Sequence, residues 1–438
     1  MMKAVQFLIE NNSSIVLELY ESVILLGDFE SQPPPIISDN GAWLCNKNNY
    51  SAFNTKGYSI YGNIAANIKI KFFWQYAFGL DISYYRVEIL EGKEKLDYSI
   101  HGYFEAGQQN IVYALYLKED IDLANWMQLI DENKRLNHLI MPGSHNAGIY
   151  NLSHCHVLVW AQKGFVRNQN LNIYNQLIIG TRYFDIRIDY DHKKLVSYHR
   201  QGKLGCNGED LKSIIHECIS FLKKHSAEVI IMTFSHIRND RGKAHEIKAK
   251  IEAFINDAAF EGFIYKSSNV NINLAEIPLK ACRGKMILLF DYAEYVNPNR
   301  GRFRYKDLTE NEPDNKAIIE HGNFALFDKY TNTADFDKMQ KDQLRKLNQY
   351  GGLGKASFFL LSWTLTAEVN FKSVVKNRNI KQLAEKANGH LAAALENQYK
   401  SEGIMPNIVY LDFLNASLTK AIVQYNFMPK TKQNNSRE

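Results

Sequence analysis

From Leu139 to Phe413, short apolar runs of strand length alternate with stretches of helical periodicity, and this cadence restricts the fold more than any other feature. The runs are Leu139–Met141, Thr181–Ile188, Leu195–Tyr198, Val229–Phe234, Lys285–Phe290, Phe324–Phe327, Phe358–Trp363 and Ile408–Phe413. Helical patterns lie between several of them, at Leu211–Lys224, Lys243–Ala259, Asp335–Leu347 and Ile380–Gln398. Strands that are apolar on both sides and separated by helices read as a parallel sheet covered on both faces. Eight of them over roughly 300 residues is the size of a closed α/β barrel of the TIM type. Ile121–Arg135 reads as a helix leading into it, and Arg300–Lys306 (RGRFRYK) as a solvated basic loop.

The first part of the chain has another texture. Val16–Tyr20, Val23–Leu26, Ile68–Gln75, Tyr84–Leu90 and Gln109–Leu117 are short runs of strand composition, and Pro33-Pro34-Pro35 and Asp39-Asn40-Gly41 mark turns between them. No helical period persists. The expected architecture is therefore multidomain: an all-β sandwich over residues 1–118, a TIM-like α/β barrel over 119–428, and a polar, disordered tail over 429–438.

Composition excludes more than it selects. A net charge of +5 on 438 residues is no nucleic-acid signature, though it suits weak attraction to an anionic membrane surface. The five cysteines (45, 155, 206, 218 and 282) are odd in number and lack C-x-x-C spacing, which points away from a disulfide scaffold and from structural zinc. His154 and His156 flank Cys155, but two histidines without further nearby ligands do not make a metal site. No apolar run reaches the ~18 residues of a spanning helix. The N-terminal stretch carries Glu10 and Asn11 where a Sec signal would be apolar. The expectation is a soluble protein, either cytoplasmic or exported by a dedicated secretion system as an effector, with its oligomeric state open.

The residues that carry chemistry fall at the ends of the barrel runs. In LIMPGSHNAGIY (Leu139–Tyr150), Pro142 and Gly143 are expected to end the strand, leaving Ser144-His145-Asn146 on the loop at its C-terminal end. That is the face of a barrel where catalytic groups converge. In GTRYFDIRI (Gly180–Ile188), alternation puts Tyr183, Asp185 and Arg187 on one side and Arg182, Phe184, Ile186 and Ile188 on the other. His199 is expected just past a strand in VSYHRQG (Val196–Gly202). Asp328 and Tyr330 lie in FDKY, and Asp412 ends the buried-looking run NIVYLDFL, where an ionised carboxylate needs a partner. Two histidines, an arginine and a carboxylate that orients one histidine form a set suited to cleaving a phosphodiester without metal.

The Ser-His-Asn after LIMPG, the run QNLNIYNQLIIGTRYFDIRI (Gln169–Ile188), Tyr198-His199, SWTLT (Ser362–Thr366) and NIVYLDF together resemble the phosphatidylinositol-specific phospholipase C X-domain family, in its bacterial and X-domain-only branch. The similarity runs from about Ile121 to Phe427. It implies that His145 is the general base toward the inositol 2-hydroxyl, held by Asp412, and that His199 is the general acid toward the diacylglycerol oxygen. Arg187 would replace calcium, with Asp185 preceding it in the same motif. Asp328 would contact inositol and Tyr330 would stack on its ring. The implied cofactor is none, calcium being the alternative that Arg187 disfavours. The implied partner is membrane phospholipid at a peripheral membrane surface.

Two departures qualify the likeness. Asn146 stands where the bacterial enzymes carry Asp, and it is expected to hydrogen-bond His199 while supporting its charge less. Thr233-Phe234-Ser235-His236 and Phe290-Asp291 lack the basic head-group contacts of those enzymes, which leaves the head group open. The rivals are a weakly active or inactive lipid-binding module and a metal-dependent glycerophosphodiester-type phosphodiesterase. Residues 1–118 resemble the small lipid-binding β-sandwiches of the aegerolysin type, through a Gly-Asp-Phe turn, PPPI, GAWLC and FFWQYAFG. That resemblance implies membrane recognition by this segment.

Overall fold

The computed structural model describes residues 4–11, 13, 15–46, 53–77, 84–92, 96–105, 110–119, 121–156, 163–201, 204–238, 242–308, 322–366 and 379–428. The chain divides into two compact units, Met1–Ile121 and Asp122–Glu438. The tail from residue 429 lies outside the described residues.

The first unit carries β1 (Ala4–Asn11), β2 (Leu17–Leu26), β3 (Asp28–Ser31), β4 (Ile36–Ile37), β5 (Asn40–Asn46), β6 (Phe53–Asn63), β7 (Ile68–Ala77), β8 (Tyr84–Glu91), β9 (Leu96–Glu105) and β10 (Asn110–Glu119). They form two five-stranded sheets, β3-β5-β1-β10-β9 and β4-β2-β6-β7-β8. Only β1 and β10 run parallel among the pairings described. Alternation decides which side chains go inward. Ile68, Ile70, Phe72 and Trp74 of β7 share one buried core with Val5, Phe7 and Ile9 of β1 and Trp43 of β5. Phe7 lies between the two sheets' tryptophans, 5.2 Å from Trp43 and 4.7 Å from Trp74. This is the sandwich expected from the turn spacing.

The second unit is a closed barrel of eight parallel strands. In barrel order they are β11 (Met141–Ser144), β12 (Tyr183–Asp191), β15 (Val229–Ser235), β16 (Lys285–Phe290), β17 (Arg302–Asp307), β18 (Phe324–Phe327), β19 (Phe358–Ser362) and β20 (Ile408–Leu411), and β20 pairs back with β11. An antiparallel hairpin, β13 (Lys194–Gln201) and β14 (Leu204–Asp210), extends from β12. The outward side chains of β12, β15 and β16, among them Phe184, Ile186, Met232 and Leu288, pack with helices α2 (Leu211–Lys224) and α3 (Ala244–Ile255) in one buried cluster. A second cluster covers the other side of the barrel, using β18, β19, β20 and α5 (Phe336–Tyr350). The short helices Ile173–Ile178 and Ala258–Glu261 are α1 and α4.

Four local expectations fail, each for a physical reason. Arg300–Lys306 is no loop, because Arg302–Asp307 is barrel strand β17. Its basic residues face outward, where Arg302 ion-pairs with Glu252 of α3, while buried Phe303 and Tyr305 alternate with them. Leu195–Tyr198 is not a barrel strand but the antiparallel β13. Pro142 and Gly143 do not end β11. Pro142 needs no N–H there, and its carbonyl accepts from the Arg182 amide at 3.1 Å. Ile121–Arg135 holds only a 3-10 turn at Trp126–Leu129.

That turn is fastened by a buried ion pair on the outer side of β12. Arg182 meets Glu228 at 2.6 Å, with both side chains fully buried. The remaining guanidinium N–H groups donate to the carbonyls of Leu123, Ala124, Leu177 and Thr181. The second Glu228 oxygen accepts from the Met127 and Gln128 amides at 3.0 and 3.2 Å. Peptide groups that a helix would have satisfied internally are thus taken by a carboxylate.

The cysteines also depart from expectation. Cys155 and Cys206 form a disulfide, while Cys45, Cys218 and Cys282 are free and buried. The sequence cue fails because the partners are 51 residues apart and meet only through the β13–β14 hairpin.

Removing one partner of the Arg182–Glu228 pair strands the other charge in the core. Glu228→Ala is therefore expected to lower stability by about 3–5 kcal/mol, read as the shift of the urea unfolding midpoint. An unchanged midpoint would show the pair to be dispensable.

Candidate active site

Parallel register places polar groups at the C-terminal mouth of the barrel. Asp185 of β12 aligns with Thr233 of β15, and Arg187 aligns with Ser235, so all four face the same side. His145 is the first residue after β11, and its amide donates to the carbonyl of Leu411 at 3.0 Å. Asp412 follows β20 directly. Adjacent strand ends therefore deliver His145 and Asp412 side by side.

His145 Nδ1 lies 2.9 Å from Asp412 Oδ1. The same oxygen accepts from Asn168 Nδ2 at 2.7 Å, which fixes the carboxylate that fixes the ring. The other ring nitrogen, Nε2, is approached by Asn146 Nδ2 at 3.0 Å and Arg187 Nη2 at 3.4 Å. A guanidinium and an amide NH2 only donate, so Nε2 must accept. The ring proton then sits on Nδ1 and points at Asp412. This neutral tautomer, with its lone pair at Nε2, is the one a general base requires.

Asp185 holds the arginine. Its Oδ2 accepts from Tyr410 Oη at 2.6 Å, from Arg187 Nε at 3.3 Å and from the Asn146 amide at 3.3 Å. Its Oδ1 accepts from Ser235 Oγ at 3.0 Å. Burial alone would push this carboxyl up. The Arg187 charge, and then the Tyr410 hydroxyl, outweigh it and hold the group at about 2. Asp185 is therefore a fixed anion, and Arg187 is held with part of its guanidinium uncommitted.

His199 lies within β13, not past a strand, opposite Cys206 of β14. Gly205, with φ of +133°, permits the close turn there, since a Cβ would run into the His199 carbonyl. The His199 Nδ1 is 2.8 Å from the Val166 carbonyl, so Nδ1 carries a proton and Nε2 is left free. Burial, and then the nearby charge of Arg187, push His199 down to about 4. Asn146 does not contact His199 as expected. Its amide goes to His145, and its backbone, at φ of +46°, turns it that way.

Asp328 shares the same electrostatic neighbourhood. Burial, with Asp185 and Asp307 close by, raises it to about 6. Tyr330 is 59% exposed. Sequence reading missed Asn168, Ser235 and Tyr410. Tyr410 could have been found, because it lies two residues before Asp412 on a strand and so faces the same way. Among the described residues, no group of three or more His, Cys, Asp or Glu side chains is placed to hold a metal ion.

A TIM-type barrel with a histidine–carboxylate pair, a second histidine and an anchored arginine at its mouth defines a class: barrels whose mouth is built for acid–base chemistry beside a fixed cation. The comparisons narrow it. The chain is 27% identical over 166 residues to a 1-phosphatidylinositol phosphodiesterase of Staphylococcus aureus, covering 37% of this chain and 49% of that protein. It is 27% identical over 174 residues to one of Listeria monocytogenes, covering 40% and 50%. A PI-PLC X-box domain-containing protein of Dictyostelium discoideum is 24% identical over 123 residues, covering 26% and 16%. The chain thus spans about half the length of the curated bacterial relatives it matches.

The barrel fold is that of the Listeria phosphatidylinositol-specific phospholipase C, with a TM-score of 0.52 at 21% identity over 69% of this chain and 98% of that one. A Staphylococcus aureus phosphatidylinositol-specific phospholipase C variant gives 0.51 at 16% identity over 69% and 97%. No family model matches. The chain is similar to the phosphatidylinositol-specific phospholipase C X-domain family in sequence, and in fold over the barrel.

The raised Asp328 carboxyl carries a stability consequence. Its folded value near 6 lies above the ordinary 3.8, so the folded state holds that proton more tightly. The benefit is complete below pH ~4 and lost as pH rises through ~6. Asp328→Asn is expected to stabilise the protein by about 1–2 kcal/mol at pH 8, after discounting for partial solvent access, and by nothing at pH 4. Urea unfolding at both values checks this, and an equal effect at the two would contradict it.

Proposed function

We propose that the barrel is a phosphoric diester hydrolase of the phosphatidylinositol-specific phospholipase C type. The observation that carries this reading is the forced tautomer of His145, with Nδ1–H on Asp412 and a lone pair at Nε2 beside Arg187. His145 Nε2 takes the proton of the inositol 2-hydroxyl as that oxygen attacks phosphorus. The bond from phosphorus to the glycerol oxygen breaks, and His199, which takes a proton from solvent on Nε2 once the phosphodiester's charge lies beside it, gives that proton to the departing diacylglycerol oxygen. The Arg187 guanidinium stabilises charge on the non-bridging phosphoryl oxygens. The products are inositol 1,2-cyclic phosphate and diacylglycerol. Asp185 keeps Arg187 in place, and Asp328 and Tyr330 receive the inositol hydroxyls and ring.

A general base or acid of this kind contributes about 10²–10⁴-fold. His145→Ala and His199→Ala are each expected to lose that much turnover on phosphatidylinositol vesicles in EDTA. Cyclic phosphate should form in the wild type with or without chelator. Turnover abolished by EDTA would favour a metal-dependent phosphodiesterase, and vesicle binding without any turnover would favour a lipid-binding module.

The sandwich unit is read as the lipid-recognition module. Val16, Ile36 and Ile64 are 41%, 58% and 83% exposed. They gather at one end, where Asn63 Nδ2 holds the Val16 carbonyl at 2.8 Å and Ile36 sits across from Glu18 of β2. Exposed apolar groups so grouped suit contact with a bilayer. Ile36→Ser with Ile64→Ser is expected to weaken vesicle binding about thirtyfold irrespective of lipid charge, at roughly 1 kcal/mol per side chain withdrawn. Unchanged binding would remove the sandwich from that role.

A further inference from the structure

On the outer side of β12, three residues beyond Arg187, a cleft of about 660 Å³ opens between the β12–β13 turn, the start of α2 and the body of α3. Its floor is apolar, built by Tyr190 and Phe254. Lys193, Lys194, Lys212 and Lys250 surround it. Lys250 Nζ lies 4.3 Å from the centre of the Tyr190 ring and 3.7 Å from Glu246. Lys193, Lys194 and Lys212 are exposed and form no ion pair with a described residue. The acidic group in the lining, Asp210, is already engaged, because its carboxylate accepts from both the amide and the hydroxyl of Ser213.

The turn that presents two of these lysines is itself unusual. His192 and Lys193 both have positive φ, +48° and +62°, in a hairpin position that ordinarily takes Asn-Gly. Left-handed backbone at two consecutive non-glycine residues costs free energy, and here it holds cations at a cleft. Lysines clustered around an aromatic floor recognise a phosphate joined to an apolar or polyol group. The cleft shares no residue with the proposed catalytic set.

We propose that this cleft is a second, non-catalytic site for a phosphate-bearing group, most simply the phosphodiester of an anionic phospholipid at the rim of the barrel mouth, with a free organic phosphate as the other source of the same chemistry. The site holds the barrel against a negatively charged bilayer while Arg187, on the opposite side of the same strand, faces the substrate. It does not depend on the catalytic reading, since binding requires no turnover.

The test uses the full chain and a triple variant, Lys193→Ala, Lys194→Ala and Lys212→Ala. A control, Lys341→Ala, Lys381→Ala and Lys400→Ala, makes the same charge change on distant helices. Sedimentation with phosphatidylcholine vesicles, with and without phosphatidylglycerol, reads the lipid arm. Calorimetric titration with glycerol 3-phosphate reads the soluble arm. Each lysine near an anionic surface is worth about fivefold. The triple variant should therefore lose roughly a hundredfold of the phosphatidylglycerol-dependent affinity while the control keeps it. Loss of glycerol 3-phosphate binding with vesicle affinity intact would support the site and assign it to a soluble phosphate. Equal losses in variant and control, or no loss in either arm, would overturn it. Hydrolysis of a water-soluble inositol phosphodiester should be the same in all three proteins, so a failure of the catalytic reading shows separately.

Discussion

The barrel mouth is organised by one carboxylate that does not take up a proton in the working range. Asp185 is 5% exposed, yet it accepts from Tyr410, Ser235, Arg187 and the Asn146 amide. Taken out of water without donors, such an anion would be protonated. With four donors, one of them a guanidinium, it is held charged instead, and the same bonds hold their donors. Arg187 is aimed, Tyr410 is locked, and Asn146 is pinned in its left-handed turn against His145. The base, the arginine and the strand ends β11, β12, β15 and β20 meet at this group.

Fixing one anion has an electrostatic consequence for its neighbours. Burial already disfavours charge on a second interior carboxylate, the field of the committed Asp185 adds to it, and Asp328 is raised to about 6. His199, buried and beside the Arg187 guanidinium, is driven down to about 4. Groups whose proton affinities are pushed apart within one cavity mark a site with acid–base work to do. The cost falls on stability, as expected where preorganisation for function competes with the folded state.

Much of this was legible before any coordinates. Period-two alternation in GTRYFDIRI assigned Asp185 and Arg187 to one face and Arg182 to the other, because geometry along a strand is local. The eightfold cadence gave the barrel although one member was wrong. Leu195–Tyr198 looks as apolar as any barrel strand, and nothing local distinguishes an antiparallel excursion from a parallel return. RFRYKD was passed over because its outward residues are basic, and the counter-ion Glu252 is 50 residues away. Ile121–Arg135 carried a helical pattern that the Arg182–Glu228 pair overrode. The Cys155–Cys206 bond and the bonding of Asn146 to His145 depend on where loops close in space, which spacing along the chain does not encode.

The two histidines are not equivalent, and their difference orders the chemistry. His145 has a carboxylate behind it and donors in front, so its neutral, proton-accepting form is already assembled. His199 is buried with the Arg187 guanidinium nearby, and together these outweigh its bond to the Val166 carbonyl, so the site resists charging it. On the proposed reading, a phosphodiester arriving at Arg187 brings further negative charge to the side of His199. It offsets the guanidinium's repulsion and raises the proton affinity of His199 when a leaving oxygen is at hand to receive the proton. The base waits ready, whereas the acid is completed by the substrate. That arrangement keeps an uncompensated imidazolium out of the buried mouth until there is a phosphate to balance it.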